Sequence, residues 1–366
     1  MKKKLAIIGA SIGQLPLCEK AKEMGLEVHC FAYQKGAVCK DVADFFYPIS
    51  IYEMDQIVER CKEIGIDGVV SNASDLTAEV VAYVAEKLQL VGASYKNLIR
   101  LKNKYFVRTL TRQIPGLSSL IYYKYNGKDE AVYPCVVKPC IGSSKSGVSF
   151  VLDSSDFGSA IEYAMTDSHQ EILVEEYIEG RELSVECISY KGEHDIIQIT
   201  DKDSSGAPHF VELGHHQPAC ISNDLRDRIY RVIPAVLMAI GYENGASHIE
   251  VKYRDNELFL VEINLRGGGD MISNKLVYLS SGIDYLRCMI EVALNQYSHP
   301  LQVAPSAYAG VYFLCKQTAY LLPFFDQEEQ WMVDKHIDSY DLQESSSNYE
   351  RNGYLIYQWN KKINLT

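Results

Sequence analysis

The feature that most constrains the fold is the alternating pattern of residues 248–269, HIEVKYRDNELFLVEINLRGGG. Apolar and polar residues alternate in HIEVKY and again in LFLVEINL, which is the period of a half-buried strand. The polar run at 254–256 between them favours a tight turn. The segment therefore predicts an antiparallel hairpin in which Glu250 lies beside Glu262.

The same hairpin gathers groups that suit a cation and an anion. Side chains two apart share a face of a strand, so Glu262, Asn264 and Arg266 are expected on one face. Leu260 is expected on that face too. Oxygens gathered in this way repel each other unless a cation lies among them, and Mg²⁺ prefers one or two carboxylates plus substrate phosphates. The glycines at 267–269 let the backbone approach a ligand; a solvated hairpin with charged residues is the alternative.

Composition excludes several classes of partner. The chain has 366 residues, of which 47% are hydrophobic, enough for the cores of two or three domains. Its net charge of −12 argues against a nucleic-acid partner. Ten cysteines lack C-x-x-C or zinc spacing, and no run approaches the roughly 20 apolar residues of a membrane span. We therefore expect a cytoplasmic protein with free thiols and no membrane partner.

Residues 1–95 alternate between strand and helix patterns, which predicts a doubly wound parallel sheet. The run GASIGQ follows the first strand and opens a helix, as a dinucleotide-binding loop does. It lacks the full glycine spacing, and the second strand is followed by no acidic residue for a ribose, so nicotinamide binding is disfavoured. Either the amides between Gly9 and Gly13 bind an anionic group, or the turn is purely structural.

A second glycine-containing loop follows a helix predicted over 96–113, in the run VVKPCIGSSKSGVSFV. Lys138 lies on the strand before the loop and can reach a phosphate. The loop offers backbone amides to an anion, although many such loops are plain turns. The run ILVEEYIEGRELSVE comes next, and its backbone at 176–178 can meet an adenine edge. Glu182 can accept ribose hydroxyls there, or the acids are simply exposed.

Taken in order, these motifs resemble the ATP-grasp superfamily across nearly the whole chain. The matching runs are GASIGQLPLCEKAKEMGLEV, LKNKYFVRTL, VVKPCIGSSKSGV, LVEEYIEGRELSVE, HIEVKY and LVEINLRGGGD. The resemblance implies an α/β chain, with an N-terminal doubly wound parallel sheet domain before a two-subdomain α+β ATP-grasp fold. The implied parts are a preceding domain at 1–95, a linker helix and small lid subdomain at 96–178, a large subdomain with the metal site at 179–300, and a strand-rich C-terminal subdomain at 301–366.

The resemblance also implies which residues bind ATP. Lys104 and Lys138 would contact its phosphates, and Glu182 would hold the ribose. The remaining implied contacts of the nucleotide lie in the loop and in the adenine hinge: Gly142, Ser143, Ser144, Gly147, Glu175, Glu176 and Ile178. Mg²⁺ or Mn²⁺ would be bound by three residues of the hairpin, namely Glu250, Glu262 and Asn264. Arg266 would bind the reacting phosphoryl or carboxylate group.

Residues 201–220, DKDSSGAPHFVELGHHQPAC, carry the clue to the substrate. They resemble a loop that borders the acceptor site in the branch containing L-amino acid ligases. Lys202 is expected to reach phosphate, and Glu212 to bind an ammonium group. Either His215 or His216 would orient or deprotonate the incoming amine. The alternative is that both histidines are surface loop residues.

Together these features predict an ATP-dependent ligase. It would activate a carboxylate, that of an amino acid, as an acyl phosphate and join it to an amine with release of ADP and phosphate. A carboxylate–amine ligase in the style of carbamoyl-phosphate synthase or of purine biosynthesis is the alternative. A non-catalytic ATP-binding protein is disfavoured, because the metal and arginine residues of the hairpin are intact. The expected partners are small-molecule carboxylates and amines, and the family implies a possible homodimer.

Overall fold

Three β-sheets organise the chain in the computed structural model, which describes residues 2–142, 146–165, 171–300 and 307–365. A four-stranded parallel sheet forms the N-terminal domain. A four-stranded antiparallel sheet forms a small middle unit, and an eight-stranded antiparallel sheet runs through the rest. None of the helices in these ranges combines the length and apolar character needed to cross a membrane.

The N-terminal domain has the predicted doubly wound parallel sheet, with strand order β3-β2-β1-β4. Alternate residues of the first strand face two separate cores, because successive side chains point to opposite faces. Leu5 and Ile7 pack on one side, and Ala6 and Ile8 pack on the other. The elements are β1 Lys4–Ile8, α1 Leu15–Glu23, β2 Glu27–Phe31, β3 Phe45–Tyr47, α2 Met54–Ile64, β4 Gly68–Val70 and α3 Asp75–Leu88.

The first glycine loop is closed by its own side chains. Gln14 Oε1 accepts from the Ser11 backbone N–H at 3.1 Å and from Ser11 Oγ at 2.6 Å. Gln14 Nε2 donates to the Asn72 carbonyl at 2.7 Å. A Cβ at Gly9, where φ is +88°, would lie 3.1 Å from Gln14. The Gln14 side chain thus fills the loop, which favours a structural turn over an anion-binding loop.

The helix predicted over 96–113 is two helices, α4 Tyr95–Leu101 and α5 Lys104–Thr111. The break arises at Asn103, whose extended backbone and side-chain cap on the Phe106 N–H start a new helix. Lys104 is therefore the first residue of α5. Its backbone N–H donates to the Cys140 carbonyl at 2.7 Å, which ties the helix to the small unit.

The small unit places Lys138 on a strand, as predicted, and its described residues include one helix. Its sheet has the order β5-β8-β6-β7, with α6 packed against it. The elements are β5 Tyr122–Lys124, β6 Cys135–Pro139, β7 Ser149–Val151, α6 Phe157–Ala164 and β8 Ile172–Glu176. Ser143 and Ser144, predicted to bind phosphate, lie outside the described residues.

The large sheet has the order β13-β12-β9-β10-β11-β14-β16-β15. Strands from 179–300 and from 301–366 belong to this one sheet, so it continues across the boundary predicted at 300. Its strands are β9 Arg181–Tyr190, β10 Glu193–Ser204, β11 Glu212–Gln217, β12 Gly245–Arg254, β13 Glu257–Asn264, β14 Tyr308–Leu314, β15 Met332–Ile337 and β16 Gly353–Trp359. The helices between them are α7 Asn223–Ala239, α8 Val277–Ser281, α9 Tyr285–Ala293 and α10 Leu322–Phe325.

The predicted hairpin is β12 and β13, and its turn residues Asp255 and Asn256 have φ of +49° and +63°. Two consecutive residues at positive φ are typical of the type I′ turn that suits twisted strands. Glu250 pairs directly with Glu262, as predicted. Because paired residues on neighbouring strands share a face, the two carboxylates lie on the same side of the sheet.

A β-bulge at Val261 changes the rest of the predicted pattern. Glu250 pairs with Glu262, but the next pair joins Val251 to Leu260, which leaves Val261 as an extra residue. Leu260 therefore shares a face with Val251 and packs in the hydrophobic core. The prediction that Leu260 lies on the face of Glu262 is wrong, because the extra residue reverses the alternation.

Candidate active site

One cleft of about 1100 Å³ brings most of the predicted residues together. It is lined by the small unit, the large sheet and α3 of the N-terminal domain. The predicted residues that line it are Lys104, Lys138, Gly142, Glu175, Glu176, Ile178, Glu182, Lys202, Glu212, Glu250, Glu262, Asn264 and Arg266. Motifs spread over more than 160 positions of sequence thus meet at one place.

Lys138 is held at the cleft by a buried cluster of three charges. Its Nζ contacts Glu175 Oε1, and Arg108 binds both oxygens of the same carboxylate at 3.0 and 3.3 Å. Burial would raise the pKa of Glu175, but the two cations outweigh it and lower that pKa to about 2. Arg108 Nη2 also donates to the Val261 carbonyl at 2.7 Å, which fixes the bulge of the hairpin. Glu175 thus positions Lys138, and both of its oxygens accept hydrogen bonds from these cations.

The hinge between β8 and β9 presents backbone groups to the cleft. The Glu176 and Tyr177 N–H groups donate to Ile121 O and Pro134 O. Within the described ranges the Ile178 N–H has no backbone acceptor, while Lys252 Nζ donates to the Ile178 carbonyl at 3.1 Å. An unpaired N–H at the edge of a cleft is a donor for a ligand.

Lys104 connects the glycine loop to the hairpin. Its Nζ donates to the Gly142 carbonyl at 2.7 Å and lies 3.3 Å from Glu262 Oε1. Gly147 does not line the cleft. It has φ of +70°, and a Cβ there would lie 2.8 Å from Pro139 Cγ, so close packing explains this glycine better than contact with a ligand.

The hairpin carboxylates have oxygens that suit a divalent cation. Glu250 Oε1 accepts from Lys202 at 2.8 Å and is 3.3 Å from His248 Nε2. No hydrogen bond or ion pair from the described residues reaches Glu250 Oε2, Glu262 Oε2 or the Asn264 side chain. Glu262 is also 37% exposed. Oxygen ligands on one face with open positions fit Mg²⁺ or Mn²⁺.

His248 lies beneath Glu250 and fixes its orientation. Its Nδ1 is 2.5 Å from Oε1 of the fully buried Glu186. Burial would lower the pKa of His248, but the carboxylates of Glu186 and Glu250 raise it to about 9. The imidazole is therefore charged at neutral pH and contacts Glu250 within the lining of the cleft.

Arg266 reaches the N-terminal domain. Its Nε donates to Asp75 Oδ1 at 3.2 Å, and its Nη1 donates to the Gly267 carbonyl at 3.0 Å. Asp75 is the first residue of α3 and also lines the cleft. The guanidinium is thus fixed at the point where the two domains meet.

Lys202, predicted to reach phosphate, is surrounded by carboxylates. Its Nζ lies 2.8 Å from Glu212 Oε1, 2.8 Å from Glu250 Oε1 and 3.3 Å from Glu182 Oε1. Burial would lower the pKa of Lys202, but the three carboxylates raise it well above its usual value. The ammonium therefore stays charged.

The segment 201–220, predicted as a loop, contains the strand β11. Pairing with β10 and β14 buries both histidines, which local sequence does not indicate. Consecutive strand residues face opposite sides, so the structure separates them. His215 lies on the cleft side, 3.3 Å from Glu212 Oε2 and 4.0 Å from Asp270 Oδ2. Its ring does not itself line the cleft; it supports Glu212 from behind.

His216 lies on the other face. Its Nε2 is 2.8 Å from Asp203 Oδ2, and its Nδ1 is 3.0 Å from the Tyr357 hydroxyl. Burial lowers its pKa, against the effect of Asp203. The structure therefore does not bring His216 together with the other predicted site residues, because the sheet itself lies between them.

Arg351 brings the C-terminal part of the chain to the cleft. Its guanidinium donates to both oxygens of Asp270 at 3.0 and 2.7 Å and lies 3.7 Å from the centre of the Phe313 ring. Both Arg351 and Asp270 line the cleft. The site residues that were not predicted from the sequence include Asp75, Arg108, His248, Asp270 and Arg351. His248 had a sequence signal, since it lies two residues before Glu250 on the same strand, and Arg108 and Asp270 lie within runs that carried the family resemblance.

Comparison with known proteins supports the fold and the class. Residues 131–275 match the model of the ATP-grasp domain. The chain is 25% identical over 290 residues to the formate-dependent phosphoribosylglycinamide formyltransferase of Corynebacterium jeikeium, covering 72% of this chain and 67% of that protein. It is 26% identical over 267 residues to the D-alanine–D-alanine ligase of Flavobacterium johnsoniae, covering 67% of this chain and 80% of that protein.

The solved structure of L-amino acid ligase from Bacillus licheniformis has the same fold. It superposes with a TM-score of 0.81 at 23% identity, covering 98% of this chain and 94% of that chain. The predicted ATP-grasp domain is therefore confirmed at residues 131–275, and the predicted class of ATP-grasp ligase is confirmed.

Proposed function

We propose that the protein uses ATP to activate the carboxylate of an amino acid as an acyl phosphate, which an amine then attacks. The observation that carries this proposal is the single cleft shared by Lys104, Lys138, Arg266 and the hairpin carboxylates. Two lysines and an arginine beside oxygen ligands are the groups that phosphoryl transfer needs, because that reaction depends on positioning and charge neutralisation.

The nucleotide would lie between the small unit and the large sheet. The free N–H of Ile178 would donate to the adenine edge, and Glu182 would accept from the ribose hydroxyls. Lys138, fixed by Glu175 and Arg108, would bind phosphate oxygens. Lys104 would change partners from the Gly142 carbonyl to a phosphate, because a charge-assisted hydrogen bond is stronger than one to a neutral carbonyl.

The carboxylate substrate would meet the terminal phosphate at Arg266. Glu250, Glu262 and Asn264 would hold Mg²⁺ or Mn²⁺, which when bound supplies charge neutralisation for the phosphate oxygens. Arg266 presents a fixed guanidinium, held by Asp75, to the carboxylate and the transferred phosphoryl group. The residues 205–211, which contribute His209 and Phe210 to the cleft, help to exclude water from the acyl phosphate.

The amine end of the site would be Glu212. Its carboxylate faces the cleft and suits an ammonium group. Burial would lower the pKa of His215, but Asp270 and Glu212 raise it. The raised pKa favours the protonated ring, so we assign His215 to orienting Glu212 and not to accepting a proton. A cytoplasmic location is part of the proposal, since all ten cysteines are free thiols.

A screen of amino acids, singly and in pairs, tests the proposal. With ATP and Mg²⁺, the cognate pair should release phosphate, and mass spectrometry should show a product equal to the sum of the two substrates less one water. If no amino acid and no pair of amino acids stimulates phosphate release, the proposal that the substrate is an amino acid is wrong.

The second candidate is a ligase with a non-peptide substrate, favoured by the similarity to a formate-dependent phosphoribosylglycinamide formyltransferase. The same screen therefore includes formate and bicarbonate as the acid. Stimulation by one of these, and by no amino acid, would replace the first proposal with the second.

A further inference from the structure

Lys202 occupies the centre of the charged cluster in the cleft. Its side chain is 2% exposed, and its Nζ lies within 3.3 Å of three carboxylate oxygens. The oxygens of Glu182, Glu212 and Glu250 lie within 4.8 Å of one another. Three carboxylates this close repel strongly in a buried site, and a cation among them relieves that repulsion.

The three carboxylates come from three strands. Glu182 is on β9, Glu212 on β11 and Glu250 on β12, while Lys202 is on β10 between β9 and β11. Lys202 pairs in register with Glu182 on one side and with His215 on the other. The lysine therefore points from the middle of the sheet to the one place that all three acids reach.

Each of the three acids has a different task in the proposed function. Glu182 would hold the ribose, Glu250 the metal, and Glu212 the amine. A lysine that contacted only phosphate would not need to be buried among these acids. Withdrawing its ammonium would remove the cation that contacts all three carboxylates at once.

We propose that Lys202 is a positioning residue whose ammonium holds the ribose-binding, metal-binding and amine-binding carboxylates in one cluster. This inference rests on the proposed function for the roles of the three acids. The contacts of Lys202 themselves do not depend on it. In this arrangement Lys202 acts on the nucleotide through Glu182, without touching a phosphate.

Comparing the binding of adenosine with that of ATP distinguishes a positioning role of Lys202 from a direct contact with phosphate, because adenosine has no phosphate. We expect Lys202→Gln to weaken adenosine binding about tenfold, measured by calorimetry without turnover, because Glu182 loses its partner. A lysine that contacts only phosphate would leave adenosine binding unchanged while ATP binding fell, and that result would overturn the proposal. Lys202→Arg, which keeps the charge, should recover part of the adenosine affinity.

Metal stoichiometry gives a second measurement that does not depend on activity. Without the ammonium, the three carboxylates become a set of oxygen ligands, so Lys202→Gln should bind one more Mn²⁺ per chain than the wild type in electron paramagnetic resonance titrations. Lys252→Gln is the matched control. Lys252 lies on the same face and contacts the Ile178 carbonyl, and its loss should add no Mn²⁺. An unchanged count in Lys202→Gln would contradict the cluster.

The outcomes separate the two proposals. A wild-type protein that binds neither adenosine nor ATP would refute the proposed function, while the Mn²⁺ count would still test the cluster. If Lys202→Gln fails to fold, the double variant Lys202→Gln/Glu212→Gln removes one acid together with the lysine. Recovery of a cooperative melting transition in that double variant supports the cluster, and failure to recover overturns it.

Discussion

Arg266 and Asp75 join the reacting end of the cleft to the N-terminal domain. The guanidinium Nε donates to Asp75 Oδ1 at 3.2 Å, although the residues are 191 positions apart. Arg266 follows β13, and Asp75 begins α3, so one hydrogen bond spans two domains. The N-terminal domain therefore contributes directly to the placement of the arginine.

Asp75→Asn should lower kcat about tenfold, because a hydrogen bond to a charged group contributes about 1.5–3 kcal/mol and the arginine would lose its fixed direction. The Kd for ATP should change little, since the adenine and ribose contacts are elsewhere. Glu79→Gln, one turn further along α3 and paired with Lys102, is the control. Equal losses in both variants would show that general damage to α3 explains the effect.

Glu262→Gln should lower kcat by about 100-fold or more with Mg²⁺, because the amide is a poorer cation ligand than the carboxylate. The melting temperature should stay the same, since Glu262 is partly exposed and, among the described residues, pairs with Lys104 alone. Glu257→Gln, at the exposed start of the same strand, should keep full activity. Full turnover by Glu262→Gln would refute the metal assignment.

His215→Asn and His216→Asn form a natural pair on opposite faces of β11. His215→Asn should raise KM for the amine, because Glu212 loses a neighbour at 3.3 Å. His216→Asn should instead cost about 1–3 kcal/mol of unfolding free energy through its lost contacts with Asp203 and Tyr357. Steady-state kinetics and chemical denaturation separate the two. If His216→Asn raised the KM for the amine more than His215→Asn does, the assignment of His215 to the cleft face of the sheet would be wrong.

Glu175 should make stability depend on pH in the acid range. Its pKa is about 2 in the folded protein, against an ordinary value of 4.5. A depressed carboxyl pKa stabilises the fold above the unfolded pKa, and this stability is lost as the pH falls from about 4.5 towards 2. Glu175→Gln should cost about 3–5 kcal/mol at pH 7, because Arg108 and Lys138 remain buried without their partner. Chemical denaturation of the wild type and of Glu175→Gln between pH 7 and pH 3 should show that the difference in unfolding free energy becomes smaller as the pH falls. A difference that stays constant would contradict the lowered pKa of Glu175.

Local patterns in the sequence were enough to predict the hairpin. Alternation and turn residues set the pairing of Glu250 with Glu262, because both signals act over a few residues. The bulge at Val261 was not predictable in this way. The bulge is held by Arg108, which lies on a helix distant in the sequence. One extra residue also leaves the residue types of the strand unchanged, so the composition gives no signal for the bulge.

The parts of the site that the sequence missed come from contacts between distant elements. Arg108 and Arg351 are single basic residues whose acidic partners lie 67 and 81 positions away. The segment containing His215 was predicted as a loop because its strand forms only by pairing with β10 and β14. The resemblance to a family predicted residues at the ATP end of the cleft, where several motifs contribute. It predicted fewer residues at the amine end, where only one segment was informative.

The continuity of the large sheet has a consequence for engineering. The strands that carry the metal ligands and the strand before Arg351 hydrogen-bond into one eight-stranded surface, with β13 at one edge and β15 at the other. Residues beyond 300 therefore cannot be replaced as an independent domain in order to change the specificity for the acceptor substrate. A graft at that point would expose a long edge of β11, so changes of specificity have to be made by side-chain substitution within the intact sheet.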